Sequence, residues 1–267
     1  MTRADGESAV RVALVYPELL GTYGDRGNAV VLAQRLRWRG REVDVATVRL
    51  GEPVPTSCDL YLLGGGEDGP ESLAAGELAR SGALSAAVDR GAVVFAVCAG
   101  LQILGAEFVG PDGAPRPGLG LLDCTTTAGR RRAIGELAAR PDPALGLPTL
   151  TGYENHGART RPGPRATKLG DVLTGTGNGD GTEGVVTGRV VGTYLHGPSL
   201  ARNPALADML LGWVTGPLPP LDDAEVDALR AERLAATVGW PDPVRRMKGW
   251  ARERFGRRLL RPARRDR

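Results

Sequence analysis

Short apolar runs alternate with longer segments of helical period through the first hundred residues, and this alternation restricts the fold more than any other feature. Residues 10–16, 60–63 and 92–97 are apolar almost throughout, and 42–48 alternates apolar with polar side chains. Between them, Val30, Val31, Ala33, Leu36 and Trp38 recur at helical spacing within 28–39, where Gly40 stops the pattern. Leu73, Leu78, Leu84 and Val88 do the same within 72–90. Strands that are apolar throughout are buried on both faces, and helices between them connect parallel neighbours. The expectation is an α/β fold with a central, mostly parallel sheet and helices on both faces. After Gly105 the pattern shortens and turns β-like, at 118–127, 132–137, 150–155, 184–187 and 190–195. Helical period returns at 203–214 and again at 222–238, beyond a Gly/Pro-rich hinge at 216–220. With no internal repeat, the organisation reads as one domain at 9–215, a helical extension at 216–240 and a basic tail at 241–267.

Charge and composition narrow the function classes. The chain of 267 residues carries a net charge of +3, yet its last 27 residues hold eleven Lys/Arg against three Asp/Glu, a net +8. The other 240 residues therefore sum to −5, so the body lacks the basic stripe of a nucleic-acid binder. Val244, Met247, Trp250 and Phe255, set among arginines, suggest a short amphipathic helix able to touch an anionic membrane surface weakly. No apolar run approaches a membrane span and no export signal opens the chain, so a cytoplasmic location is expected. Three cysteines at unrelated spacings make neither a disulfide framework nor a zinc motif.

Cys98 is the informative cysteine. It follows the apolar run 92–97 and precedes a helix start, framed by Ala96, Ala99 and Gly100. A thiol at such a turn sits at the carboxyl edge of the sheet, where ligands bind in open α/β folds. The helix N-terminus favours the thiolate, and the Ala99 N–H becomes an oxyanion donor. Only two histidines exist to serve as base. His196 directly follows the apolar stretch 190–195, which places it at the same edge, as a Cys–His pair requires. His156 reads as a loop or substrate-contact histidine. The Gly64-Gly65-Gly66 run ends another strand, and only residues without Cβ let backbone approach a substrate so closely.

Cys98-Ala-Gly-Leu-Gln102 resembles the C-x-G-x-Q nucleophile motif of class I glutamine amidotransferases, and Tyr194-Leu-His196-Gly197 the Y-x-H-G motif of their cobyric acid synthase-like branch. Tyr23-Gly-Asp-Arg-Gly-Asn28, Leu63-Gly-Gly-Gly-Glu-Asp68, Arg132-Ala-Ile-Gly-Glu136, Gly152-Tyr-Glu-Asn-His-Gly157 and Gly179-Asp-Gly-Thr-Glu-Gly184 follow the family's order. Within the branch, the similarity is greatest to the glutaminase subunits of lipid II isoglutaminyl synthases.

That resemblance implies a flavodoxin-like fold and a glutaminase reaction on L-glutamine through a cysteinyl thioester. Cys98 would be the nucleophile and His196 the base and then acid. Ala99 with Gly65 or Gly66 would form the oxyanion hole. Arg132, with Arg130 and Arg131 one or two positions away, would hold the substrate α-carboxylate. Gln102, one helical turn past Cys98, would border the glutamine pocket. The position two after His196 is Pro198, so no acid adjoins the histidine there. The resemblance places the third catalytic member on the partner subunit, with Glu154 and Glu183 as internal candidates. It further implies a heterodimer with a Mur-ligase-like subunit (MurT), which would use the ammonia to amidate the D-glutamate α-carboxyl of the lipid II stem peptide. This chain has no phosphate-binding G-x-x-x-x-G-K-[ST] loop, so no cofactor is expected in it, and ATP and magnesium would belong to the partner. The alternatives are an amidotransferase serving another acceptor, or a catalytically inactive binding module of the same fold.

Overall fold

The computed structural model describes residues 8–110 and 112–239. The basic tail at 241–267, with its suggested membrane contact, lies outside the described residues. β1 (Val10–Val15), α1 (Gly27–Trp38), β2 (Val43–Val48) and β3 (Leu60–Leu63) open the chain. α2 (Asp68–Ser81), α3 (Ala83–Asp89), β4 (Val93–Val97) and α4 (Ala99–Leu104) follow. The helix read across 72–90 is thus two helices. Gly82 adopts φ 62°, ψ 0°, which caps the first helix at its C-terminus and reverses the chain into the second.

Every residue of β3 and β4 is buried, the signature of strands covered on both faces. Beyond α4 come β5 (Glu107–Val109), β6 (Pro115–Pro117), β7 (Cys124–Pro141), β8 (Leu150–Pro162), β9 (Thr167–Thr174), β10 (Thr182–Thr187) and β11 (Val190–Thr193). The stretch read at 132–137 and the end of the one read at 118–127 join in β7, which is 18 residues long. β9 had no counterpart in the sequence reading.

Among the described residues these strands form one eleven-stranded sheet ordered β2-β1-β3-β4-β11-β10-β9-β7-β5-β6, with β8 paired to β7. From β2 to β11 all neighbours are parallel. From β11 to β7 they are antiparallel, and β7 and β8 make a long antiparallel arm. The order places β3, β4 and β11 side by side, so three loops emerge together at the carboxyl edge.

α5 (Ser199–Arg202), α6 (Pro204–Thr215) and α7 (Ala224–Leu234) complete the described chain. Arg35 of α1, almost wholly buried, grips Asp208 of α6 through Nε and Nη2 (2.6 and 2.7 Å) and Asp223 before α7 through Nη1 and Nη2 (2.9 and 2.8 Å). α7 itself has no buried residue and is tied down by Arg230 to the Thr149 carbonyl and Arg233 to Glu136. Cys58 and Cys124 are buried, and burial raises both thiols. None of the described helices is long and apolar enough to cross a membrane.

Candidate active site

Val97 at the end of β4 pairs with Thr193 at the end of β11, so the residues that follow leave the sheet from neighbouring positions. Cys98 is the first of them. Its N–H donates to the Thr193 carbonyl at 2.8 Å, and its backbone takes φ 52°, ψ −107°. A positive φ is strained for any residue with a Cβ and marks a side chain re-aimed at a strand-to-helix turn. The turn is packed tightly from below. Gly100 donates to the Gly64 carbonyl at 3.2 Å, and a Cβ there would come within 2.8 Å of the Leu63 Cβ.

His196 lies three residues past Thr193 and is buried, its own N–H donating to the Tyr153 carbonyl at 2.9 Å. Its ring is held from three sides. Asp25 Oδ2 sits 3.0 Å from Nδ1, the Tyr23 ring tilts over it with centroids 4.7 Å apart, and Gly65 lies beneath. A Cβ on Gly65 would stand 2.5 Å from His196 Cε1, so glycine there is a requirement of the imidazole's seat. Asp25 Oδ2 also accepts the Gly65 N–H at 2.9 Å. An oxygen already accepting one bond accepts the second as well, so Nδ1 carries the proton and Nε2 keeps its lone pair. Nε2 is buried and makes no hydrogen bond among the described residues.

Asp25 therefore corrects two expectations. A carboxylate of this chain does orient His196, and it is neither of the two acids singled out from sequence. Glu154 accepts from His156 and from the Thr176 and Gly177 N–H groups; these bonds outweigh its burial and hold it below the usual carboxylate range. Glu183 accepts from Thr193 Oγ1 at 2.5 Å and from the Tyr194 N–H at 2.9 Å. Both are anchored one layer away from the imidazole. His156 is on β8 and not in a loop, with its ring stacked on Tyr194 at 3.8 Å between centroids.

The thiol departs from expectation in the other direction. Cys98 is 4 % exposed, and burial, followed by the nearby Glu71 and Asp25 carboxyls, pushes its pKa well above the ordinary value. The Ala99 backbone and Arg132 pull it back only in part. Desolvation outweighs the helix N-terminus here, so Cys98 rests as a thiol.

A cavity of about 320 Å³ opens beside Cys98, bordered also by Gly66, Glu71, Gln102, Arg132 and His156. Arg132 lines it, whereas Arg130 and Arg131 do not. Its guanidinium is held by Asn155 Oδ1 at 2.7 Å and by the Tyr23 hydroxyl at 3.2 Å. Of the two glycines named for an oxyanion hole, Gly65 has its N–H committed to Asp25, whereas Gly66 lies on the cavity wall. Among the described residues no group of three or more His, Cys, Asp or Glu side chains is placed to hold a metal.

Comparison with known proteins agrees with this architecture. One solved structure, of a glutamine amidotransferase, superposes with a TM-score of 0.53 at 22% identity, over 76% of this chain and 98% of its own, a likeness of fold. A Staphylococcus aureus protein, the GatD subunit of lipid II isoglutaminyl synthase (glutamine-hydrolyzing), is 36% identical over 196 residues, 72% of this chain and 79% of its own length. The Streptococcus pneumoniae protein of the same name is 33% identical over 207 residues, 76% and 79% of the two chains. The profile of the CobB/CobQ-like glutamine amidotransferase domain matches residues 11–204, from β1 into α6, and includes Asp25, Cys98 and His196. The chain belongs to the CobB/CobQ-like glutamine amidotransferase family.

Proposed function

We propose that this chain is the glutaminase subunit of a lipid II isoglutaminyl synthase, hydrolysing L-glutamine and delivering ammonia to a Mur-ligase-like partner. The observation that carries the reading is the buried thiol at a strained turn, one strand away from an imidazole whose Nδ1 is bound by Asp25. A buried thiol with a raised pKa reacts only when its proton is removed during attack. His196 Nε2 takes that proton as the sulfur adds to the side-chain amide carbon. The Ala99 and Gly66 N–H groups receive the oxyanion, at about 2.7–4 kcal/mol of barrier per donor. His196 returns the proton to the nitrogen as the C–N bond breaks, giving ammonia and a γ-glutamyl thioester. Water, deprotonated by the same Nε2, then adds to the thioester and releases glutamate and the thiol. Arg132 fits the α-carboxylate, because a fixed guanidinium fork matches a planar, bidentate anion.

The acceptor is the D-glutamate α-carboxyl of the lipid II stem peptide. Its activation by ATP and magnesium belongs to the partner, with which this chain forms a heterodimer. The relatives' name as subunits of that synthase supports this assignment. Co-purification with a Mur-ligase-like protein, followed by ammonia-release assays on wild type, Cys98→Ala and His196→Ala, tests it. Loss of ammonia release in both variants is expected. Activity retained by Cys98→Ala, or a Cys98 left unmodified by a glutamine-mimicking diazo ketone in the complex, defeats the reading.

A further inference from the structure

Glu71 stands in the active-site cavity with no part in the chemistry above. It belongs to the first turn of α2, is 2 % exposed, and keeps its Oε1 buried without a hydrogen-bond partner. It lines the same cavity as Cys98, Gln102 and Arg132. An unpaired buried carboxyl oxygen is a costly feature that a ligand donor would relieve.

We propose that Glu71 receives the α-ammonium group of the substrate, across the cavity from the guanidinium of Arg132 that receives its α-carboxylate. The inference rests on the glutaminase reading and deepens it: the site selects a free zwitterionic amino acid, not an amide lacking the α-amine. An amino acid brings one positive and one negative group, and the cavity offers one arginine and three acids, Glu67, Asp68 and Glu71. Glu67 already accepts the Tyr23 hydroxyl at 2.8 Å, and both it and Asp68 are exposed, where ion pairs contribute little. Glu71 alone of the three is buried, so a cation that reaches it gains a bond out of water.

Burial, aided by Asp68, pushes the Glu71 carboxyl up to about 9. Facing it are Asp68 on its own helix, Cys98 on the nucleophile turn, and Arg132 and His156 on the β7–β8 arm. When the ammonium binds, Glu71 releases its proton to solvent and forms a neutral pair with it.

The test compares L-glutamine with glutaramate, the same amide with hydrogen in place of the α-amine, on the full chain co-purified with its ligase partner. Glu71→Gln is expected to raise KM for glutamine about 10- to 150-fold, with kcat changed less than about threefold. The glutamine-to-glutaramate ratio of kcat/KM should fall by the same factor, and Glu71→Asp should recover part of it. A Glu71→Gln enzyme that keeps wild-type discrimination, or loses both substrates equally, overturns the proposal. Equal loss together with a lowered melting temperature and no recovery in Glu71→Asp makes Glu71 structural and overturns it as well. A wild-type complex that hydrolyses neither substrate instead brings down the glutaminase reading, an outcome distinct from an active enzyme indifferent to Glu71.

Discussion

Replacing Asp25 by asparagine separates the charge of this carboxylate from its geometry. Both bonds to Asp25, from the Gly65 N–H at 2.9 Å and from His196 Nδ1 at 3.0 Å, end on the same oxygen, Oδ2, while Oδ1 is buried and unpaired. An asparagine carbonyl in the place of Oδ2 accepts both. The flipped amide would aim an NH2 at the fixed Gly65 N–H, two donors face to face, and is disfavoured. The imidazole therefore keeps its tautomer, and only the carboxylate's charge is lost as His196 becomes positive. A hydrogen bond to a charged group contributes about 1.5–3 kcal/mol, so kcat for ammonia release should fall about 10- to 150-fold. That is far less than the roughly 10⁴-fold known for serine proteases when the corresponding change inverts the tautomer. The assay is steady-state glutamate production by the complex, with the melting temperature followed in parallel. Retention of more than about a third of wild-type kcat would refute a role for Asp25 charge and return the third member to the partner subunit. A loss near 10⁴-fold would refute the orientation argument, because it requires an inverted imidazole.

Three other perturbations probe the frame around the site. Gly65→Ala drives a methyl to 2.5 Å from His196 Cε1, and a ring displaced by about 1 Å should lower kcat on the order of 10²-fold while the circular dichroism spectrum is unchanged. Arg35→Met leaves Asp208 and Asp223 without their shared cation; both are partly exposed, so about 2–3 kcal/mol of stability should be lost, read as a lower urea midpoint at constant slope. Burial raises Glu183 to about 7, against the hydrogen bonds from Thr193 and Tyr194. The folded state then holds a proton that the unfolded chain releases near the ordinary glutamate value, so stability falls as pH rises through that window and levels off above about 7. Glu183→Gln should remove that slope and stabilise the protein at pH 8 by about 3 kcal/mol relative to wild type, measured by urea unfolding at pH 5 and pH 8.

The parts of this molecule legible in the sequence are those in which local chemistry and tertiary role coincide. An apolar strand running into Cys98 among small residues has few meanings, and the turn lies where that pattern put it. His196 was legible for the same reason, as a polar residue just past an apolar strand. The division of 72–90 was hidden because Gly82 interrupts the helical period without ending it; its left-handed backbone is visible only in the fold. The length of the β7–β8 arm is not legible because the β-like pattern breaks at 128–131, where the structure carries the strand on through a register shift between Ala128 and Ala133. Asp25 falls in the Tyr23–Asn28 segment that carries the family resemblance, but nothing local marks it as the partner of His196. It sits in a glycine-bounded loop 171 positions from its partner, and the one clue was its place after β1, at the same sheet edge as Cys98 and His196.

That hidden residue changes how the site's reactivity is controlled. A thiolate stabilised by a helix N-terminus would be nucleophilic at all times, whereas on the proposed mechanism the desolvated Cys98 thiol reacts only through His196. The orientation of His196 depends in turn on the loop after β1, through Asp25, and on the Tyr23 ring, whose hydroxyl also accepts a hydrogen bond from Arg132. One loop thus touches both the base and the arginine assigned to the substrate. Tyr23, His196 and Gly65 pack closely together, since a Cβ on Gly65 would stand 2.5 Å from His196 Cε1 and 3.2 Å from Tyr23 Cδ2. On the proposed mechanism, a substrate carboxylate on Arg132 would be felt by the imidazole through Tyr23, which touches both.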